Sequence, residues 1–123
     1  MRFVALVLLA TTLPLVAHHS FVAEYDPSAP VSLKGTVTKI EWTNPHIYYY
    51  IDVKDEKGNV TNWALEGYPP NTLRRVGFSR DLMKIGDQVS VTGWACRDGA
   101  KRAASRELTL PSGQKIFTGP PAN

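Results

Sequence analysis

Pro45 stands between two stretches of alternating polarity, and that arrangement constrains the chain more than any other feature of its 123 residues. Upstream, Val31, Leu33, Gly35 and Val37 alternate with Ser32, Lys34, Thr36 and Thr38. Downstream, Ile47, Tyr49, Ile51 and Val53 alternate with His46, Tyr48, Tyr50 and Asp52. Period-two alternation is the signature of a strand with one buried face. Proline fixes its own φ, offers no N–H and pushes the residue before it out of the helical region, so Trp42-Thr43-Asn44-Pro45-His46 is a corner joining two strands. Within the first strand the phase slips, because Lys39 and Glu41 occupy positions due to be apolar while Ile40 and Trp42 take over. A bulge or sharp bend near Thr38 and Lys39 accounts for the slip, and Gly35 gives the strand freedom to coil.

Residues 54–59 supply a polar hairpin turn with Gly58 where a positive φ is needed, and the chain returns along Val60 to Glu66 with Trp63 and Leu65. Gly67 to Pro70 breaks the sheet. Short helical turns follow, one from Asn71 to Val76 stopped by Gly77, and one from Arg80 to Ile85 stopped by Gly86. Val89, Val91, Gly93 and Ala95 then alternate along a fourth strand, Ala104 to Leu110 makes a fifth, and Lys115-Ile116-Phe117 a short tail strand. Three strands, a short helical linker and two more strands, with a first strand long and bent enough to serve two sheets, is the order of an all-β, OB-like five-stranded antiparallel barrel. A small open β-sandwich is the alternative. The expected divisions are a signal peptide over 1–17, an amino-terminal arm over 18–30, the barrel over 31–118 and a loose tail over 119–123.

Arg2, the apolar run from Phe3 to Ala10, Pro14 and the small Ala17 read as a bacterial secretory signal, cleaved after Ala17 to leave His18 first. The expected location is therefore periplasmic or secreted. The run is short for a bilayer span and no cysteine follows it, so no stable membrane anchor is expected after cleavage. Cys96 is the single cysteine, which rules out an intramolecular disulfide and reads as a small, partly buried strand residue. With 14 basic against 11 acidic residues, the charge is too mild to argue for nucleic acid, and no nucleic-acid partner is expected.

His18, His19 and His46 are the chain's three histidines. After cleavage a terminal His18 offers an amine and a ring nitrogen to one ion, and His46 offers a second imidazole, a nitrogen set that suits copper(II). Copper is thus the expected cofactor, with His18, His19 and His46 as metal ligands. The competing reading has His46 as a corner residue bonded by Asn44. Trp42, Tyr48 and Tyr50 fall near the face carrying His46, and with Asn44 they form a candidate aromatic surface for an oligosaccharide or a periplasmic protein, unless the arm carrying Phe21 covers it. No paired carboxylates or nucleophile motif marks an enzyme. A small copper oxidase is a further alternative, for which the chain is short.

His18-His19-Ser20-Phe21, Lys34-Gly35-Thr36-Val37, Glu41-Trp42-Thr43-Asn44-Pro45-His46, Asn62-Trp63-Ala64 with Glu66-Gly67, Gly86-Asp87 and Leu110-Pro111-Ser112-Gly113 together resemble a bacterial family of small exported proteins, domain of unknown function 6152. The resemblance runs across the chain beyond the signal. It implies a periplasmic or secreted protein and carries no activity or ligand with it.

Overall fold

The computed structural model describes residues 21–121. A single helical turn, α1 (Phe21–Glu24), leads into β1 (Tyr25–Glu41), followed by β2 (Tyr48–Lys54), β3 (Val60–Glu66), α2 (Pro70–Arg75), a 3-10 turn (Arg80–Leu82), β4 (Gln88–Cys96), β5 (Arg102–Thr109) and β6 (Lys115–Phe117). The strands lie in the order β3-β2-β1-β4-β5-β6, and β3 also pairs with β5, which closes the first five into a ring. This is an OB-like barrel, as the element order implies. The closing seam is parallel, joining Ala64, Leu65 and Glu66 to Arg102, Ala103 and Ala104.

β1 serves both halves of the ring, pairing with β4 through residues 25–36 and with β2 through residues 36–41. The register against β2 shifts between Val37 and Lys39. Of the two explanations of the phase slip this is the bulge, and it returns Ile40 toward the core. Gly35 passes directly over the Asp52 carbonyl, where a Cβ has no room, so glycine lets the coiling strand cross β2 at close quarters.

The interior is built from the alternation. Ile47, Tyr49, Ile51, Leu65, Val37, Val89, Val91 and Leu108 are buried in one cluster, and Val53 lies half-buried at its edge. The segment between β3 and β4 plugs the barrel with Leu73, Phe78 and Met83, all in the same cluster. Tyr49 brings a hydroxyl into this apolar space and shares it with Ser105 at 2.5 Å, and Ser105 in turn meets the Thr118 hydroxyl at 2.5 Å. All three residues are buried, so the bonds offset a desolvation cost that unpaired hydroxyls would carry. Burial holds the Tyr49 phenol well above its ordinary pKa.

Element boundaries differ at three places. Residues 25–30 of the arm run extended and already belong to β1, which begins at Tyr25, opposite Cys96. The expected loose tail is held at its first residue: Gly119 is buried and its carbonyl accepts from Arg106 Nη1 at 2.8 Å, next to Thr118, which accepts from the Tyr68 N–H at 2.7 Å and donates to the Arg106 carbonyl at 3.0 Å. Proline and glycine suggest looseness by composition, but here backbone pairing overrides it. β5 also starts earlier than Ala104, because Arg102 and Ala103 are recruited by β3.

Candidate functional site around His46 and Glu66

The corner between β1 and β2 carries His46, and the residue that organises its surroundings is Glu66, the last of β3. Glu66 pairs with Tyr48 across the β2–β3 ladder and with Ala104 across the closing seam. Its side chain is 15% exposed. One carboxylate oxygen accepts the hydroxyl of the buried Tyr25 in a short hydrogen bond. The other lies 3.8 Å from His46 Nδ1. Tyr25 is held well above the usual phenol pKa, first by burial and then by its bond to Glu66 and that group's charge. The Tyr48 hydroxyl is pushed up to about 12 by desolvation and by the charge of Glu66. Both phenols therefore stay protonated donors beside the carboxylate at neutral pH.

His46 Nδ1 lies 3.0 Å from the Gly67 carbonyl oxygen. A carbonyl only accepts, so Nδ1 carries the proton in this bond, and in the neutral ring Nε2 is the nitrogen with the lone pair. With 44% of the side chain exposed, the ring is anchored on one side and open on the other. The expectation that Asn44 bonds His46 is corrected: the partner comes from the end of β3, and Asn44 is exposed. Asn44 precedes Pro45 through a cis peptide bond.

The start of the described chain is pinned beside this group. Arg97 donates through Nε to the Val22 carbonyl at 2.6 Å and through its backbone N–H to the Glu24 carbonyl at 2.9 Å. Arg102 pairs with Glu24 at 3.1 Å and donates to Cys96 Sγ at 3.1 Å. Phe21 packs on Tyr25 with ring centroids 5.6 Å apart. Cys96, a free thiol, is buried in this small second cluster with Tyr25 and Ala104. Its reading as a small strand residue holds, with more complete burial than expected.

The aromatic surface is only partly assembled. Tyr48 and Tyr50 share the outer face of β2, and Tyr50 has the Lys39 ammonium 5.1 Å from its ring centre. Trp42 does not join them. It turns inward and meets Phe78 edge-on at 5.4 Å and 74°, because the shifted phase beyond the bulge aims it at the plug. Phe21 covers Tyr25 and not this face.

His18 and His19, two of the three expected metal ligands, lie outside the described residues. Among the described residues no three His, Cys, Asp or Glu side chains come together as metal ligands, so His46 needs partners from elsewhere to hold an ion. Glu66, Tyr25, Glu24 and Arg102 form the cluster that sequence reading did not assemble. The available signal was the alternation of β3, which places Glu66 on the face opposite Trp63 and Leu65.

The chain belongs to a family of unknown function, DUF6152, whose model matches residues 6–106. No curated protein is significantly similar to it. In structure it is similar to the mitochondrial single-stranded DNA-binding protein of S. cerevisiae. One crystal structure of that protein matches with a TM-score of 0.53 and 12% identity over 68% of this chain and 93% of the other. A selenomethionine-labelled structure of it matches with a TM-score of 0.51 and 12% identity over 74% and 97%. The likeness establishes the OB fold. It also overturns the expectation that excluded nucleic acid on net charge, because a DNA-binding protein is built on this same barrel; that exclusion is withdrawn.

Proposed function

We propose that this DUF6152 member is an exported binding protein for copper(II), held by Nε2 of His46 together with the amine and imidazole of a processed His18 and assisted by His19. The observation that carries the reading is the fixed tautomer of His46. Metal-bound histidines characteristically donate their second ring N–H to a carbonyl or carboxylate, which sets ring orientation and raises ligand basicity. His46 has that arrangement, with Gly67 at 3.0 Å and Glu66 at 3.8 Å on the Nδ1 side.

Chain geometry supports the remaining ligands. Glu66 bonds Tyr25 and faces His46, so the start of the described chain is tied to the same carboxylate. The three residues from His18 to Phe21 span at most about 10 Å when extended, and an imidazole adds further reach. Nitrogen donors favour copper(II) over zinc in the usual affinity order. The amine and both imidazoles bind only when deprotonated, so affinity falls as the solution is acidified.

The test is copper(II) titration of protein beginning at His18, of His46→Ala, and of protein with one extra residue before His18, read by calorimetry and electron spin resonance. Both altered forms are expected to bind at least about tenfold more weakly, with changed nitrogen coupling in the spectrum. Equal affinity in all three forms removes the proposal.

A further inference from the structure

The segment between β3 and β4 has an outer surface unlike the rest of the barrel. Leu73, Phe78 and Met83 point into the core, while Arg74, Arg75, Val76, Arg80, Leu82, Lys84 and Ile85 between and beside them are exposed. Three of the six exposed large hydrophobic side chains among the described residues are here: Val76, Leu82 and Ile85, the last at 69% the most exposed of the six. Residues 67–87 hold four cations, Arg74, Arg75, Arg80 and Lys84, against two anions, Asp81 and Asp87. Among the described residues none of Arg74, Arg75, Arg80 and Lys84 enters an ion pair, whereas Arg97, Arg102, Lys39 and Lys115 all do.

We propose that this outer surface of the plug docks the protein reversibly on an anionic phospholipid bilayer. Guanidinium and ammonium groups meet headgroup phosphates, and Val76, Leu82 and Ile85 enter the headgroup boundary. The combination of unanswered cations with exposed aliphatic side chains is what interfacial binding requires, since neither charge nor a small apolar area suffices alone. Aliphatic chains also decide between two anionic partners. A single-stranded nucleic acid is held by aromatic platforms as well as by cations, and of the two aromatic rings of this segment Phe78 is fully buried and Tyr68 is half-buried and packed against the core. Three inward anchors fix the segment to the barrel, so the surface is presented without refolding.

Vesicle co-sedimentation tests the proposal, using protein lacking residues 1–17, because the apolar run in that segment would partition into lipid by itself. The probes are vesicles of phosphatidylcholine alone, vesicles of three parts phosphatidylcholine to one of phosphatidylglycerol, and fluorescent single-stranded oligothymidylate. Binding is expected to the anionic vesicles and to weaken with added salt. The triple variant Arg75→Glu, Arg80→Glu, Lys84→Glu is expected to lose at least about a hundredfold, on the basis of about fivefold per cation. The double variant Leu82→Ser, Ile85→Ser keeps every charge and is expected to lose about tenfold. All five positions are exposed, and circular dichroism confirms that each variant remains folded. No binding to anionic vesicles, equal binding to neutral ones, or unchanged binding by both variants overturns the proposal. Tighter binding of the oligonucleotide, lost on the same charge reversals, assigns the surface to nucleic acid instead and equally overturns it.

Discussion

The group around Glu66 and the outer surface of the plug are both rich in charge, yet they treat it in opposite ways. Around Glu66 almost every polar group is answered within the chain: Tyr25 and His46 face its two oxygens, Glu24 meets Arg102, and Arg97 holds the Val22 carbonyl. On the plug the cations stand in water. Charges that are answered internally set geometry, which is why His46 has one defined tautomer and the start of the described chain one defined course. Charges left unanswered on a rigid support contribute little to the fold and are available to a partner.

The sharpest contrast lies within the plug itself. Phe78→Ala removes a fully buried ring and is expected to cost about 3–5 kcal/mol, while Ile85→Ala, seven residues on and exposed, is expected to change stability by less than about 0.5 kcal/mol. Urea unfolding of the two variants measures both. Comparable losses would mean that the outer face is part of the core and would erase the distinction.

Next in size is Glu66→Ala, which leaves the buried Tyr25 hydroxyl without its acceptor and is expected to cost roughly 1.5–3 kcal/mol. Tyr25→Phe in the Glu66→Ala background should then cost much less than Tyr25→Phe alone, because the bond is already gone. A full double-mutant cycle with no coupling would show that the carboxylate does not hold the arm.

The smallest effect is one of pH. Tyr48 has its pKa raised from 10.0 to about 12 by desolvation and by Glu66, and Tyr25 is raised further by burial and the same carboxylate. Above the unfolded value of 10.0 the unfolded chain releases a proton that the folded chain keeps. Stability is therefore fully present below that value and falls as pH rises through it toward about 12. Unfolding midpoints between about pH 9 and about pH 11 should decline, and the decline should flatten in Tyr25→Phe and Tyr48→Phe. Arg74→Glu should leave the slope unchanged. An identical slope in all of these variants would disconnect the phenols from Glu66.

The inward face running into and along β2 was legible, since Ile47, Tyr49 and Ile51 are buried as their alternation requires and Val53 is half-buried at the edge of the core. The bulge after Val37 was legible too, because a bulge must show as a slip in phase. Trp42 was not, since nothing local reveals that the shifted strand end meets Phe78 from a segment 36 residues later. The Glu66 group was hidden for the same reason: Tyr25 and Glu66 are 41 residues apart, and only the ring closure brings them together.

What the sequence determined by itself was the order of strands, their buried faces and the corner at Pro45, because each depends on the period of a few neighbouring side chains. Tertiary structure alone decided which nitrogen of His46 is free, which carboxylate faces it and which cations go unanswered. Those properties depend on which segments distant in sequence meet, as at the β3–β5 seam, which sets Glu66 beside Ala104.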